Sequence, residues 1–548
     1  MLAHPVYRFI PYFIVLLAYF VGSFIDILEI DAAQYAVMSR DMLREGDLLH
    51  LVDRGKDYLD KPPLIFWCTA LSYKLFGVST FTYKLPSVLF SLLAIGSTMG
   101  LARRFYSQGV AFLSGIMLAS CQGFFLMNND VKTDMYMIGA MVFAVWQLVA
   151  YMQDGKWYQL VLGFTGVGLS FLAKGPLGLV APAMVVGADL LLKRDWKNIF
   201  RWQWLVGLFI VGLILLPFCI GLYEQWGAHG IRFFLWTQSF GRVTGESEWS
   251  NDASPFFLVH TYAWAFLPWT ILSLVALVRK FRDVFQDAFF LPKNKEALSL
   301  AGFVLLFLAF SLSKFKLPHY IFVVLPFAAI FTGRYLYDLI HDVSLRKWSM
   351  VFKWVHFGFF VLVTAILLIL MLWSFPGAPW YIWILTGLGF AGIYFAFFFL
   401  RDLTWKHLLP TAIGFAFANL LLNLYLYPTV TTYQSPAQAG RYVVEQEIPQ
   451  EQLFAYRIGG RSMDFYGGEV MRPGPLVGSD EFKAVINQGT VWYYTDKEGK
   501  AECEANYPSS SVEKEFVHYR VGNLSLPFIN PELRSKVTHT RYLIRVEK

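Results

Sequence analysis

The sequence predicts a polytopic α-helical membrane protein that ends in a small α/β domain outside the membrane, and three observations carry that prediction. Of its 548 residues, 56% are hydrophobic and only 16% are charged, against roughly 25% charged in an ordinary soluble domain. Mean hydropathy is +0.47, so lipid must solvate most of the chain. Apolar segments recur up to residue 428, and polar sequence with strand-like runs follows.

A membrane span needs about 20 mostly apolar residues. Thirteen segments are read as spans: 9–28, 83–102, 108–127, 134–152, 157–173, 176–192, 204–222, 257–278, 298–313, 318–336, 351–374, 380–400 and 407–427. The first is long and lacks a small-residue cleavage site, so it reads as a retained span rather than a signal peptide. Basic clusters follow alternate span ends: Arg103-Arg104; Lys193-Arg194 with Lys197 and Arg201; Arg279-Lys280 with Arg282; Arg346-Lys347; Arg401 with Lys406. The positive-inside rule makes these loops cytoplasmic. Parity then puts the N-terminus inside, and residues 29–82, 128–133, 174–175, 223–256, 314–317, 375–379 and everything after 428 outside.

The first outer loop carries structure of its own. Asp31–Arg44 gathers Ala32, Tyr35, Ala36, Met38, Met42 and Leu43 near one helical face, which predicts an amphipathic helix on the membrane surface. Pro62–Phe76 is apolar but short for a span and reads as a second interfacial segment. The transmembrane part is expected to occupy 1–428 and the outer α/β domain 429–548. Strands are predicted at Gln452–Ile458, Thr490–Thr495, Glu515–Val521 and Tyr542–Val546, and turns at Pro473-Gly474-Pro475 and 506–511. The four cysteines suggest neither a disulfide framework nor a thiolate metal cluster. The mild basic excess, 46 Lys+Arg against 39 Asp+Glu, forms no stripe of the kind that binds nucleic acid.

Polar residues that are not merely basic concentrate in the outer loops. The first supplies Asp31, Tyr58, Asp60 and Lys61; the second, NNDVKTDM, supplies Asp130, Lys132 and Asp134; the third supplies Lys174. The fourth supplies Arg232, Arg242, Glu246, Glu248 and His260, and the fifth is Ser313-Lys314-Phe315-Lys316-Leu317-Pro318-His319-Tyr320. Charge beside a membrane core is costly and usually faces a cavity. Lysines with Arg242 suit a phosphate at the interface, and a carboxylate suits activation of an acceptor hydroxyl. Asp31 and Asp134 also suit helix capping, and Lys61 also suits a snorkelling interfacial lysine. Lys314 and Lys316 break the positive-inside pattern, which favours a functional reading.

At these residues the chain resembles the GT-C superfamily of membrane glycosyltransferases, and within it the protein-mannosyltransferase-like branch that includes aminoarabinose transferases acting on lipid A. The matching motifs run from DAAQY at 31–35 with SRDML after it, through YLDKPPLIFW, LFGVSTFTYKLPSVL, VKTDM, FLAKGPLGLVAP and FLPW, to SKFKLPHYIFVVLP. The resemblance implies a GT-C-like fold and transfer of a sugar, with inversion, from an undecaprenyl-type polyprenyl phosphate at the outer face of a bacterial inner membrane. The acceptor class is a lipid A-like glycolipid, a polysaccharide or a protein, and the enzyme is expected to be a monomer. It implies Asp31 and Asp134 as catalytic carboxylates, and Tyr58, Lys61, Arg242, Lys316 and Tyr320 as contacts to the donor phosphate. No cofactor is required by this reading. A divalent metal is left open, with Asp60 and His260 as its candidate ligands. Ala32 and Gln34 stand where the family often has an acidic residue and an arginine, and Asp60 where it usually has glutamate. A lipid-linked-sugar flippase and a protein O-mannosyltransferase-like enzyme are the alternatives. A flippase is expected to carry charges inside its spans, whereas the suspicious residues here lie on one side.

Overall fold

The computed structural model describes residues 5–237, 253–254, 256–286 and 295–547. Helix α1 (Pro5–Gly22) leads into the first loop, which contains α2 (Asp31–Glu45), a short hairpin of β1 (Val52–Asp53) and β2 (Lys56–Asp57), and α3 (Leu64–Phe76). A capping box of Ser79 with Thr82 starts α4 (Thr80–Arg103). Next come α5 (Gln108–Ala119), α6 (Gln122–Asn129), α7 (Thr133–Asp154), α8 (Trp157–Lys174) and α9 (Leu177–Leu192).

The chain is a multi-pass membrane protein, but helix length alone does not support thirteen crossings. Among the described residues, seven helices are long and apolar enough to cross, or nine if two bent pairs each count once. The segment expected at 108–127 is broken between α5 and α6 by a 49° bend, and that at 257–278 is bent by 115° around FLPW. Phe9–Gly22, Leu64–Phe76, Leu177–Leu192 and Leu298–Leu312 are apolar but shorter. The long helices sort into inner and outer ones. Thr133–Asp154 and Pro318–His341 are 83% and 89% buried over their apolar windows, whereas Val343–Ser374 and Trp380–Phe399 are 28% buried and turn most of their apolar surface outward.

Two expectations about the outer loops change. The apolar face of α2 is turned into protein instead of lying open: Ala32, Tyr35, Ala36, Met38 and Met42 are buried, and the helix packs against both α3 and the helix Arg461–Tyr466. The loop expected from residue 223 is helical at its start, since Gln203–Arg232 continues past it with a break at Gly227.

After Thr431 the chain forms helices around a five-stranded mixed sheet. Its strands are β3 (Leu453–Ala455), β4 (Arg472–Pro473), β5 (Val491–Thr495), β6 (Ser511–His518) and β7 (His539–Val546), ordered β4-β3-β5-β7-β6. β3 runs parallel to β4 and β5, and β7 runs antiparallel to β5 and β6. Alternate residues of β5 feed opposite faces, Val491 and Tyr493 one core and Tyr494 the other. The short strand β4 falls where the sequence predicts only a turn.

This C-terminal region is fastened to the turn between α1 and α2. Arg441 pairs with Asp26 through both Nη atoms, one at 2.9 Å. Gln434 Nε2 donates to Ile27 O at 2.8 Å, and Glu29 N donates to Gln434 Oε1 at 3.0 Å. The Glu29 carboxylate accepts from the backbone N–H groups of Arg461 and Ser462 and from the Ser462 hydroxyl. From the membrane side, the fully buried Lys84 donates to Gly22 O at 3.2 Å and Ile25 O at 2.8 Å, satisfying carbonyls left open at the end of α1. Behind α2, Arg54 Nε donates to the fully buried Asp464 at 2.9 Å.

Arg54→Ala leaves Asp464 as a buried carboxylate with one partner fewer. Breaking a fully buried pair costs about 3–5 kcal/mol. Because Arg54 is 33% exposed, we expect a smaller loss of about 2 kcal/mol. Thermal unfolding of the purified protein should show a lower midpoint, and a midpoint equal to wild type would refute this role for the pair.

Candidate active site

The turn held in this way delivers Asp31 to a cavity of about 260 Å³. Ile30 takes the N-cap position of α2, so Asp31 is the first helical residue. Its Oδ2 accepts from Lys132 Nζ at 3.2 Å, and Lys132 also lies 3.4 Å from Asp130. Burial opposes the charge on Asp31, but the nearby Lys132 and Lys61 ammonium groups outweigh it and hold the carboxyl below its usual range. Burial likewise disfavours the Lys132 ammonium, yet Asp130 and Asp31 together raise it above the ordinary lysine value. Asp31 is half-exposed, whereas Lys132 is mostly covered.

Three more elements bring charge to the same end of the cavity. The Tyr58–Pro63 segment turns into α3 at Pro63 and presents Lys61 and Asp60, paired at 2.7 Å. Lys132 is the N-cap residue of α7, so Asp134 falls in the first turn, where it hydrogen-bonds Lys174 and lies 3.6 Å from His319 Nε2. Lys174 ends α8. The chain reverses at Gly175 with φ 73°, a value that favours glycine. It can then pack α9 on α8 because a Cβ on Gly178 would stand 2.2 Å from the Ser170 carbonyl. The Lys174 ammonium lies 4.1 Å from the Tyr320 ring centroid, and Tyr320 meets His319 edge to face at 5.1 Å. The remaining walls are apolar and include Val180, Met184, Leu306 and Phe310. One end of the cavity is therefore ionic and its flanks are hydrocarbon.

Of the residues singled out from the sequence, Asp31, Asp60, Lys61, Asp134 and Tyr320 line this cavity. Tyr58 does not. Its ring packs edge-on against Phe66, which in turn packs against Tyr35 on the wall. Lys316 is buried outside the lining and donates to Ala253 O at 3.1 Å. His260 is exposed on the helix Phe257–Ala265 and is also absent from the lining. Arg242 lies outside the described residues. No three His, Cys, Asp or Glu side chains gather as metal ligands among the described residues, and of the two candidates Asp60 lines the cavity while His260 does not. The lining adds Lys132, Lys174 and His319, three polar residues of the same outer loops. Lys174 was readable as a lysine on the wrong side of the charge bias, and His319 as the neighbour of Tyr320.

Similarities to known proteins fall on this architecture. Residues 60–220 match the family described as dolichyl-phosphate-mannose-protein mannosyltransferase. The undecaprenyl phosphate-α-4-amino-4-deoxy-L-arabinose arabinosyl transferase of Pseudomonas aeruginosa PAO1 is 29% identical over 330 residues, 58% of this chain and 57% of that protein. The enzyme of the same name from Serratia proteamaculans is 28% identical over 339 residues, 59% and 57%. The match thus spans under two thirds of the length of these relatives. An uncharacterized Aquifex aeolicus protein is 27% identical over 80% of this chain and 82% of its own length. ArnT from Cupriavidus metallidurans, solved with bound undecaprenyl phosphate, superposes over 98% of this chain and 97% of its own, with a TM-score of 0.74 at 19% identity. The chain therefore has the fold seen in ArnT.

Proposed function

We propose that this protein is an inverting glycosyltransferase that moves a sugar from a polyprenyl phosphate to an envelope acceptor at the outer face of a bacterial inner membrane. The observation that carries this reading is the division of one cavity between an ionic end, with Lys61, Lys132 and Lys174, and apolar walls. A phosphate-headed lipid has that same division. The volume of about 260 Å³ suits a sugar phosphate and the first isoprene units, and the rest of the tail would run in the surrounding lipid. ArnT, whose fold this chain shares, is described with undecaprenyl phosphate bound, and the names of the aminoarabinose transferases among the relatives support the same donor class; a lipid A-like glycolipid is the acceptor that the resemblance implies. The match to the mannosyltransferase family keeps a protein acceptor as the second reading.

In this mechanism an acceptor hydroxyl attacks the anomeric carbon and forms the new C–O bond. Its proton passes to Asp31, which is ionised at neutral pH and half-exposed at the cavity. The anomeric C–O bond to phosphate breaks, and the bonding pair leaves with the phosphate, whose charge the lysines stabilise. Asp134 was expected to be catalytic. With Lys174 and His319 already against its two oxygens, it is better suited to positioning them, and we assign it that role. Tyr320 orients Lys174 from below. Tyr58 and Lys316 have no direct contact with donor in this reading. No step runs through a metal.

Asp31→Asn should lower kcat/KM by about 10²–10⁴ with donor affinity retained, while Lys61→Ala should weaken donor binding. Undiminished transfer by the first variant, in turnover assays with a polyprenyl-phosphate sugar, would remove Asp31 from its role. Lys132→Met withdraws the strongest cation near Asp31, so burial prevails and its pKa rises. The carboxylate is then lost at higher pH than in wild type, and the acid limb of the kcat/KM profile should move upward; an unmoved limb would contradict the pairing. For orientation, an alkaline-phosphatase fusion after residue 428 should be active, and a cytoplasmic readout there would invert the assignment.

A further inference from the structure

Lysines drawn into the body of this chain have partners away from the cavity as well. Lys193 lies 2.8 Å from Asp189, and Lys280 lies 2.8 Å from Glu296. Lys84 and Lys316 donate to backbone carbonyls. Lys353 differs. Its side chain is buried, with 6% exposure, yet among the described residues it has neither a carboxylate nor a hydrogen-bond acceptor. Its Nζ lies over aromatic rings instead, 4.4 Å from the Trp354 centroid and 5.7 Å from that of Phe397. Lys406, half-buried on the helix Leu403–Leu408, lies over the same Phe397 ring at 5.8 Å and has no carboxylate partner among the described residues either.

Two ammonium groups thus share one ring with no acid between them. The negative face of an aromatic ring attracts each cation, but it does not neutralise two like charges withdrawn from water. Asp402, the acid nearest in sequence to Lys406, is turned to its own helix and accepts from the backbone N–H groups of Thr404 at 2.9 Å and Trp405 at 3.4 Å. The next polar groups inward are the buried imidazoles of His356 and His407, 3.4 Å apart, and they bring no negative charge. No described residue supplies the counter-charge of this pair.

The setting says what can supply it. The far end of the same long helix, at Ser374, donates to Ile529 O in the C-terminal region. Lys353 stands about 30 Å from that end along the helix, at 1.5 Å per residue, and so at the opposite membrane surface from the sheet domain. Arg346, Lys347 and Arg401 are exposed at the same end. The helices Val343–Ser374 and Trp380–Phe399 turn most of their apolar surface outward. Trp354, the ring over Lys353, is 49% exposed, and Val351 and Phe398 beside it are exposed too. Acyl chains cover such a surface, so the anion that reaches these lysines at a span end is a lipid head group. A zwitterionic head group would bring an ammonium of its own against the two already there. A phosphodiester with an uncharged head brings only the missing charge.

We propose that Lys353 and Lys406 form a head-group site for an anionic phospholipid, with its phosphodiester at the two ammonium groups and the Trp354 ring as one wall. The site lies across the membrane from the cavity and is independent of the transfer reading.

The test titrates the purified full chain in detergent with phosphatidylglycerol or with phosphatidylcholine of the same acyl chains, and counts bound lipid by native mass spectrometry. Wild type should bind phosphatidylglycerol about tenfold tighter or more, since each basic residue near a membrane surface contributes about fivefold. Lys353→Met and Lys406→Gln should each lower the preference about fivefold, and Lys353→Arg should keep most of it. Undecaprenyl phosphate affinity should stay at the wild-type value in all three. Equal affinity of wild type for the two phospholipids, or a preference that survives both neutral substitutions, would overturn the proposal. A parallel loss of undecaprenyl phosphate affinity would also overturn it, because the lysines would then act through the fold. Should Lys353→Met fail to fold, Lys406→Gln, at a half-buried side chain, decides alone. Displacement of phosphatidylglycerol by millimolar glycerol phosphate would overturn the lipid as the source of the anion.

Discussion

The turn between α1 and α2 is gripped from both sides, and the position of Asp31 depends on that grip. From within the helical body, Lys84 satisfies the carbonyls of Gly22 and Ile25. From outside, Arg441, Gln434 and the Arg461–Ser462 amides hold Asp26, Ile27 and Glu29. A short connection between two helices has few backbone hydrogen bonds of its own. These side chains complete it, and they fix the direction in which α2 starts. α2 in turn carries Tyr35 into the cavity wall and Arg40 onto the backbone of Asp464 at 2.7 Å.

Charge balance explains how the cavity can exist beside hydrocarbon. Isolated charges near a membrane core are expensive, and here each lysine meets a carboxylate: Lys61 with Asp60, Lys132 with Asp31 and Asp130, Lys174 with Asp134. Such pairs lessen the desolvation penalty without contributing much net stability. In the proposed reaction the lysines would trade part of this pairing for the donor phosphate, whose charge would be met by groups already in place. The half-exposed Asp31 and the enclosed Asp134 differ in this respect. One keeps access to the cavity, and the other is engaged by two neighbours.

Much of this was legible in the sequence because composition and hydropathy are linear properties. The apolar segments, the polar C-terminal region, the carboxylate at 31 and the Asp60-Lys61 pair all stand out without coordinates. What escaped depends on how chain ends are aimed. Tyr58 sits two residues from Asp60, and an extended segment would put both on one side, but leaving the β1–β2 hairpin turns the ring onto Phe66. Lys174 reaches Asp134 because α8 lies close against α7, where a Cβ on Gly166 would stand 3.0 Å from the Ala140 carbonyl. The face of α2 has the pattern of a surface helix, and the sequence contains no sign that Arg461–Tyr466, more than 400 residues later, would cover it. Strand β4 was hidden by Pro473, a residue that suits an edge strand as well as a turn.

The grip on the α1–α2 turn has a consequence in time. Its outer half comes from residues 434–462, so contacts to residues 26–29 close loops of more than 400 residues. At a synthesis rate of about 5–20 residues per second, on the order of 20–80 seconds separates the emergence of Asp31 from that of its outer supports. During that interval the first spans can already be inserted while the acid has only its membrane-side anchor. The turn that starts α2 thus reaches its complete set of contacts only after residues 434–462 have been made.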